Sequence, residues 1–226
     1  MSDDSRNSVH ASPAVPGSRR TIVVKLGGSL LDLPDLTTRL TRFIVSLGTP
    51  QVVLVVGGGP AADLVRDRKG QLGADKSHWL AVRAMTFNAH LVEGLLEGSR
   101  VVTSLAQCRS AWRHDRTPIF DPYAFMLDDA GSRSPLPRTW QVTSDTIAAR
   151  VARALDADEL VLLKSVAWPD GDIAEAARRG IVDEHLPREL HAAPRLTVRI
   201  ENLRDKAQAW LTIGTQTVSF RASEPS

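Results

Sequence analysis

The stretch TIVVKLGGSLLDLPDL, from Thr21 to Leu36, is the part of the sequence that decides the fold. Its first six residues are β-branched or apolar except for Lys25, and such a short apolar run predicts a buried strand. Lysine is costly to bury and glycine weakens both strands and helices, yet Lys25 stands two positions before Gly27 and Gly28. The stretch therefore predicts a strand that ends in a functional site.

Predicted strands and helices alternate along the rest of the chain. A second apolar run, QVVLVV, ends at Val56 and is followed by three glycines and by Pro60, which suits the first turn of a helix. Further predicted strands are RVVTSL (100–105), TPIF (117–120), ELVLLK (159–164), RLTVRI (195–200) and TQTVSF (215–220). Predicted helices run from Pro34 to Gly48 and over 60–68, 75–96, 105–112, 144–155 and 202–211.

This pattern predicts an α/β fold. The early strands are apolar throughout rather than alternating, which is typical of a largely parallel sheet that helices cover on both faces. The longest predicted helix begins at Asp75 as its N-cap and carries one apolar face, with residues at steps of three and four: Trp79, Val82, Met85, Ala89, Val92 and Leu96. Ordered loops are predicted over 128–140 and 168–180, and within the second the segment DIAEAARRG (172–180) is interpreted as a solvated helix face.

The composition is that of an ordinary globular protein. With 226 residues, 42% of them hydrophobic, the chain can bury one core, so we predict a single domain over residues 21–222. Residues 1–20 are rich in Ser, Pro and charge and lack the apolar segment of a signal peptide, which predicts a disordered tail. There is no apolar run near the ~18 residues of a membrane span. The net charge is only +2, so neither a membrane nor a nucleic-acid partner is predicted.

The cysteine and histidine residues argue against an internal disulfide, a reactive thiol and a protein-held metal ion. Cys108 is the only cysteine, so no internal disulfide is possible, which fits a reducing cytoplasm. It lies in an apolar periodic segment and is interpreted as core filler rather than as a reactive thiol. The histidines show no metal-ligand spacing, so no protein-held metal is predicted.

Three predicted strands end in residues suited to binding an anion. Ligands of an open parallel sheet bind beyond the carboxyl ends of its strands. Glycine-rich turns that lead into helices present backbone N–H groups to an anion there. The predicted phosphate-binding residues are Gly27, Gly28, Ser29, Gly57, Gly58, Gly59 and Ser165.

Lysine is rare in this chain, and its placement is informative. Only five of the 28 basic residues are lysines, yet Lys25 and Lys164 both stand at the ends of apolar strands. Phosphoryl transfer needs mainly positioning and positive charge around the moving group, which two lysines would supply. Asp145, in the first turn of its helix, is predicted to pair with both. Each feature alone has an ordinary structural explanation, whereas their combination favours a site.

Five further residues are candidates for contacts to an acceptor. Asp63 and Arg66 lie on the helix after the triple glycine, where they would meet an ammonium group and a phosphate. His78 begins the long helix, Trp140 suits stacking on a flat ring, and Thr143 lies at the start of the next helix. Core packing is the alternative interpretation for His78 and Trp140.

With these residues in place, the chain resembles the amino acid kinase superfamily, which includes acetylglutamate, aspartate, uridylate and isopentenyl phosphate kinases. The matching motifs are VVKLGGSLL, LVVGGGPAADLVR and VTSDTIAARVARALDADELVLLKSV, within about Thr21 to Thr215. The resemblance implies a three-layer αβα sandwich, ATP as phosphoryl donor, Mg²⁺ held largely through phosphate oxygens, and a homo-oligomer. It also implies catalytic roles for Lys25 and Lys164, an organising role for Asp145, and phosphate contacts from the two glycine clusters.

Within the superfamily, the segments SHWLAVRAM, LPRTWQVTSD, LLKSV and GIVDEHLP are similar to the short kinases of methanofuran and methylofuran biosynthesis. That similarity implies phosphoryl transfer onto aminomethylfuran-methyl phosphate, a phosphate monoester of one-carbon cofactor synthesis. The sequence departs from the branch at Ala167 and Trp168, where Asp-Gly is usual, and at Arg138 and Thr139, where His and Ser are usual.

Two alternatives to this interpretation stay open. One is a kinase of the same fold that acts on a carboxylate or a nucleoside monophosphate. The other is a non-catalytic relative that binds or stores a nucleotide or another anion.

Overall fold

In the part of the chain that the structure describes, six strands form one sheet in which every neighbouring pair is parallel. The structure is a computed structural model that describes residues 19–48, 50–168 and 172–205. The strands are β1 (Thr21–Leu26), β2 (Gln51–Val56), β3 (Ser99–Val102), β4 (Thr117–Phe120), β5 (Glu159–Lys164) and β6 (Thr197–Asn202). Their order across the sheet is β3-β4-β2-β1-β5-β6, so β1 lies between β2 and β5.

Helices fill the connections between these strands. In the described part of the chain they are α1 (Leu36–Ser46), α2 (Gly59–Asp67), α3 (Lys69–Leu72), α4 (Ala74–Leu95), α5 (Leu105–Arg113), α6 (Pro122–Ala130), α7 (Ser144–Ala154), α8 (Ile173–Arg178) and α9 (Leu186–His191). A single 3-10 turn, Gly28–Leu30, follows β1.

The alternation of side chains along each strand divides the core into two layers. On one face of the sheet, Val23 and Leu162 pack into a cluster that includes Ile147 of α7. On the other face, Val24 and Leu163 pack with the helix α1. Both faces are covered, so the predicted α/β fold with a parallel, doubly covered sheet is confirmed.

The strongest apolar runs have the predicted boundaries. The strands β1, β2, β4 and β5 begin and end where the sequence predicts them. The apolar face of α4 is also confirmed, since four of its predicted positions are buried: Val82, Met85, Ala89 and Val92. Trp79 is only partly buried and packs edge-on against Tyr123, with ring centroids 5.8 Å apart. Cys108 is fully buried as predicted, and this burial raises its pKa to about 12.

Several weaker predictions were wrong. The N-cap of α4 is Gly73 rather than Asp75, and the Asp75 carboxylate instead lies 2.8 Å from the Arg138 guanidinium. The segment predicted as an ordered loop over 168–180 contains α8, which agrees with the interpretation of DIAEAARRG as a solvated helix face and buries only Ile173 and Ala176. The helices α3, α6 and α9 were not predicted at all.

Predictions for both ends of the chain lie largely outside the described residues. The strand β6 continues to Asn202 and a bend follows it, so the helix predicted to start at Asn202 does not begin there. Residues 206–211 of that helix, the strand 215–220 and residues 1–18 of the predicted tail are not described. No helix in the described ranges is both long and apolar enough to cross a membrane.

Candidate active site

Two lysines project from neighbouring strands on the same face of the sheet. Lys25 pairs in register with Leu162 across β1 and β5, so Lys164 lies two residues further along β5. Because side chains alternate along a strand, Lys25 and Lys164 both point to the α7 layer. Lys25 is only 4% exposed, which requires a partner for its charge.

One carboxylate provides that partner for both lysines. Asp145 lies in the first turn of α7, and its Oδ1 is 2.8 Å from Lys25 Nζ while its Oδ2 is 2.6 Å from Lys164 Nζ. Asp145 itself is buried. The three side chains predicted to cooperate are therefore in direct contact, and their roles in catalysis stay predictions.

The ionisation of this cluster follows from burial and mutual charge. Burial alone would raise the pKa of Asp145, but the positive charges of Lys25 and Lys164 outweigh it and hold the pKa well below its usual range. Burial and the nearby charge of Lys25 lower the pKa of Lys164 to about 8, against the opposing charges of Asp145 and Asp183. Two ammonium groups share a single direct carboxylate partner, so the three groups carry net positive charge below that pH.

The two glycine turns present their N–H groups unequally. The Gly27 N–H donates to the Leu163 carbonyl and the Gly57 N–H donates to the Leu26 carbonyl, each at 2.9 Å. These two glycines therefore shape the turns, and their own donors are already in use.

Four N–H groups remain for a ligand. The backbone N–H groups of Gly28, Ser29, Gly58 and Gly59 donate to none of the other described residues. They lie at the start of the 3-10 turn and at the N-terminus of α2, the positions that favour an anion. The hydroxyls of Ser29 and Ser165 lie 3.1 Å apart and join the ends of β1 and β5.

The two turns also contact each other through their backbones. A Cβ added to Gly28 would lie 2.2 Å from the Gly59 nitrogen and 2.4 Å from its Cα. Gly59 has φ +52°, a conformation that favours glycine. Steric contact therefore requires glycine at position 28, and the backbone conformation favours glycine at position 59.

A cavity of about 220 Å³ opens beside these turns. Its walls are the two turns, α2, the N-terminal half of α4 and the segment before α7, with apolar contributions from Val82, Met85 and Ile147. All five predicted acceptor residues line it: Asp63, Arg66, His78, Trp140 and Thr143. Of the predicted phosphate-binding residues, Gly28, Ser29, Gly58 and Gly59 line it as well.

The remaining predicted residues lie outside the cavity lining. They are the catalytic set of Lys25, Lys164 and Asp145 together with Gly27, Gly57 and Ser165. Ser144 does line the cavity, so Asp145 is the next residue in the sequence after part of the cavity wall.

The polar groups in the cavity wall differ in how they are held. Arg66 forms an ion pair with Asp63, and its guanidinium lies 4.9 Å from the Trp140 ring centroid. His78 Nε2 and Trp140 Nε1 are buried without a hydrogen-bond partner among the described residues. Burial and then the charge of Arg138 lower the pKa of His78, so its ring is neutral near pH 7.

Sequence reasoning missed one residue of this centre, Asp183. Its carboxylate accepts the hydroxyl of Thr143 at 2.9 Å, and its N–H donates to Asp145 Oδ2 at 3.2 Å. Asp183 lies within the segment GIVDEHLP, whose similarity to the methanofuran-type kinases was the available signal. Over the described ranges, no three His, Cys, Asp or Glu side chains gather where they could hold a metal ion.

The fold and this arrangement define the class of protein. The chain belongs to the amino acid kinase family, whose model matches residues 20–167. A (5-(aminomethyl)furan-3-yl)methyl phosphate kinase from Methanocaldococcus jannaschii is 24% identical over 147 residues. The match covers 64% of this chain and 65% of that relative, so the chain spans just under two thirds of the relative's length.

Solved structures share the fold at low sequence identity. The chain is similar to a UMP kinase from Ureaplasma parvum (TM-score 0.63, 14% identity, covering 83% of this chain and 91% of that one). It is also similar to a UMP kinase from Bacillus anthracis (TM-score 0.60, 16% identity, 84% and 90%). A uridylate kinase from Archaeoglobus fulgidus matches with a TM-score of 0.56 and 18% identity (79% and 89%). The predicted amino acid kinase resemblance is thus confirmed.

The contact between the glycine turns predicts the effect of a single methyl group. Gly28→Ala places a Cβ against the backbone of Gly59, so the turns must separate, and we expect a loss of about 1–3 kcal/mol in the free energy of unfolding. Gly70→Ala is the matched control, because a Cβ there meets nothing within 4 Å and alanine favours the helix. Urea denaturation of both variants measures the difference, and equal stability would contradict the close contact.

Proposed function

We propose that the protein is an ATP-dependent small-molecule kinase that transfers the γ-phosphoryl group to a phosphate monoester. The observation that carries this proposal is the Lys25–Asp145–Lys164 cluster beside two glycine turns with unused N–H donors. Membership of the amino acid kinase family and the relatives that are kinases support a phosphotransferase.

The proposed chemistry divides among these groups. An oxygen of the acceptor's phosphate attacks the γ-phosphorus of ATP, and ADP leaves with the electrons of the broken P–O bond. Lys25 and Lys164 offset the negative charge that develops around the moving group and on the leaving oxygen. The free N–H groups of the turns hold phosphate oxygens, and Asp145 orients both ammonium groups.

The donor set suits a nucleotide and its metal ion. Four free backbone N–H groups and two lysines match the many oxygens of a triphosphate. Mg²⁺ would neutralise part of the phosphate charge, and in the described chain no cluster of protein ligands competes for it, so phosphate oxygens would hold it.

The cavity favours a small acceptor with a flat ring. Its volume of about 220 Å³ lies below the ~300–1,000 Å³ of typical ligand pockets. Arg66 beside Trp140 offers charge for a phosphate and a surface for a ring, and Asp63 offers a carboxylate for an ammonium group. We propose aminomethylfuran-methyl phosphate as the acceptor, which would place the protein in cytoplasmic one-carbon cofactor synthesis, and the name of the archaeal relative supports this choice.

One observation favours a second candidate, a relative that binds an anion without turnover. Lys25 and Lys164 do not line the cavity, and both already contact Asp145. A kinase acting on a nucleoside monophosphate or a carboxylate is the other candidate, and the same assay separates all three.

The direct test is turnover with a panel of acceptors. We expect ADP release with ATP, Mg²⁺ and aminomethylfuran-methyl phosphate, and none with UMP or N-acetylglutamate. Lys25→Ala should lower kcat by about two orders of magnitude, because it removes charge that stabilises the transition state. Lys69→Ala removes an exposed lysine on α3 and is the matched control.

Each contrary result points to a different conclusion. Turnover with UMP or N-acetylglutamate alone would replace the proposed acceptor. ATP binding by calorimetry without turnover would establish the non-catalytic candidate. An unchanged kcat in the folded Lys25→Ala protein would remove this lysine from the mechanism.

The charge of Lys164 predicts a pH dependence. Its pKa of about 8 means that the ammonium group loses its proton as the pH rises through that value, so we expect kcat to fall above about pH 8. Lys164→Arg keeps the charge and should move this decline to higher pH, at a lower maximal rate because the planar guanidinium fits differently. Profiles of kcat against pH for both proteins measure the effect, and coincident alkaline limbs would assign the decline to another group.

We also propose that the protein is a homo-oligomer in which a second copy covers one face of α4. The side chains of Leu80, Phe87, Leu91 and Leu95 are 40–63% exposed and lie on that face at steps of seven and four residues. An exposed row of large apolar side chains marks an interaction surface.

Charge placed on that face should separate the copies. We expect Phe87→Glu to reduce the molar mass measured by light scattering to that of one chain, because a buried unpaired carboxylate is costly. Val45→Glu is the control, since Val45 is equally apolar and 70% exposed but lies on α1. A monomeric wild-type protein would contradict this part of the proposal.

A further inference from the structure

Asp183 collects hydrogen bonds from the start of the helix that carries Asp145. Its Oδ2 accepts the Thr143 N–H at 3.0 Å, the Thr143 hydroxyl at 2.9 Å and the Thr146 N–H at 2.9 Å. Its Oδ1 accepts the Thr146 hydroxyl and, at 3.0 Å, the Leu186 N–H. Five donors thus converge on one carboxylate that lies beyond residues 20–167, the part matched by the family model.

These contacts replace the cap that α7 lacks in its own sequence. Thr143 is the N-cap of α7, but its side chain makes no capping hydrogen bond to the helix. The first N–H groups of a helix need partners, and negative charge near them is favourable. Asp183 supplies both the hydrogen-bond acceptor and the negative charge, from a segment about 40 residues further along the chain.

Asp183 also contacts the catalytic carboxylate directly. Its backbone N–H donates to Asp145 Oδ2 at 3.2 Å, and the same oxygen lies 2.6 Å from Lys164 Nζ. The side chain of Asp183 therefore fixes the helix turn that carries Asp145, while its main chain fixes the orientation of the Asp145 carboxylate.

The segment that carries Asp183 is itself anchored to α7. The His185 N–H donates to the Gln141 carbonyl at 3.1 Å, just before α7. Further along, the buried Glu189 of α9 lies 3.4 Å from Arg150 and 3.3 Å from Arg153, both on α7. Both contacts follow Asp183 along the chain, and they hold its segment against α7.

We propose that Asp183 is a positioning residue of the phosphoryl-transfer centre, which holds Asp145 in the orientation that keeps Lys25 and Lys164 together. This inference rests on the proposed kinase function. Asp183 acts on the reacting groups through Asp145 and touches no reacting atom itself.

Asp183 has a second, electrostatic effect on the same centre. The charged groups that face Lys164 are Lys25 from β1, Asp145 from α7 and Asp183 from the segment before α9. Among them, Asp145 and Asp183 favour the protonated ammonium group. Loss of the Asp183 charge should therefore lower the pKa of Lys164.

The test compares Asp183→Asn with Glu184→Gln. Both variants remove one negative charge at adjacent positions, but Glu184 is exposed, and glutamine retains an oxygen for the Gln141 amide that donates to it at 3.0 Å. We expect Asp183→Asn to lower kcat by about 10- to 100-fold, the usual range for a partner that orients a reacting group. Its alkaline decline in kcat should also start at lower pH, whereas Glu184→Gln should match the wild type in both.

A second readout does not depend on activity. The chain has only five lysines, so NMR of a protein labelled at the lysine side chains can follow Lys164, assigned by its loss in Lys164→Arg. Asp183→Asn should lower the pKa of Lys164, and Glu184→Gln should leave it unchanged. An inactive wild-type protein would refute the kinase function alone, because this titration would still show whether Asp183 acts on Lys164.

A purely structural role for Asp183 would give a different pattern. If Asp183→Asn loses stability but, below its unfolding temperature, keeps the kcat and the Lys164 titration of Glu184→Gln, the proposal is overturned. Should Asp183→Asn not fold, Thr146→Val removes one donor to Asp183 while keeping the buried, branched shape. A kcat below that of Glu184→Gln then supports the proposal, and an equal kcat overturns it.

Discussion

The structure depends on one carboxylate placed between two ammonium groups at the ends of apolar strands. Lys25 is buried and Lys164 is partly buried, and removing Asp145 would leave the Lys25 charge unpaired at a cost of roughly 3–5 kcal/mol. The three charges must therefore arrive together, which ties the register of β1 and β5 to the position of α7. Among these three groups positive charge exceeds negative charge, although the Asp183 carboxylate also faces Lys164 and offsets part of it. Positive charge at this place is what the proposed phosphate site needs.

The sequence predicted those parts of the fold and site that depend on local patterns. Runs such as TIVVKL and ELVLLK located their strands because both faces of a parallel strand are buried. Lys25 and Lys164 were singled out because charge at the end of an apolar strand breaks the pattern, and Asp145 because a carboxylate in the first turn of α7 could pair with both. Asp183 was missed because its contacts are with residues about 40 positions away, and α9 was missed because six residues with three buried side chains show no period. The use of the Gly27 and Gly57 N–H groups by the sheet was equally invisible before the strand order was known.

The candidate site residues come from two parts of the chain. The lysines and glycine turns lie within the residues that the family model matches, whereas Asp183, which contacts the start of α7, lies beyond them. The cavity beside the turns is built from α2, α4 and the segment before α7. Arg138, one of the four positions where this chain departs from the methanofuran-type pattern, pairs with Asp75 at the start of α4 and lies near His78. Thr139, a second such position, lines the cavity, whereas Ala167 and Trp168 follow β5 and do not line it.

The backbone contact between Gly28 and Gly59 has a mechanical consequence. No side chain separates the backbones of the two turns. Because they are closely packed, a displacement of one turn would displace the other. The ends of β1 and β2 are therefore coupled where the two turns meet, and the N–H groups of Gly28, Ser29, Gly58 and Gly59 would keep their relative spacing.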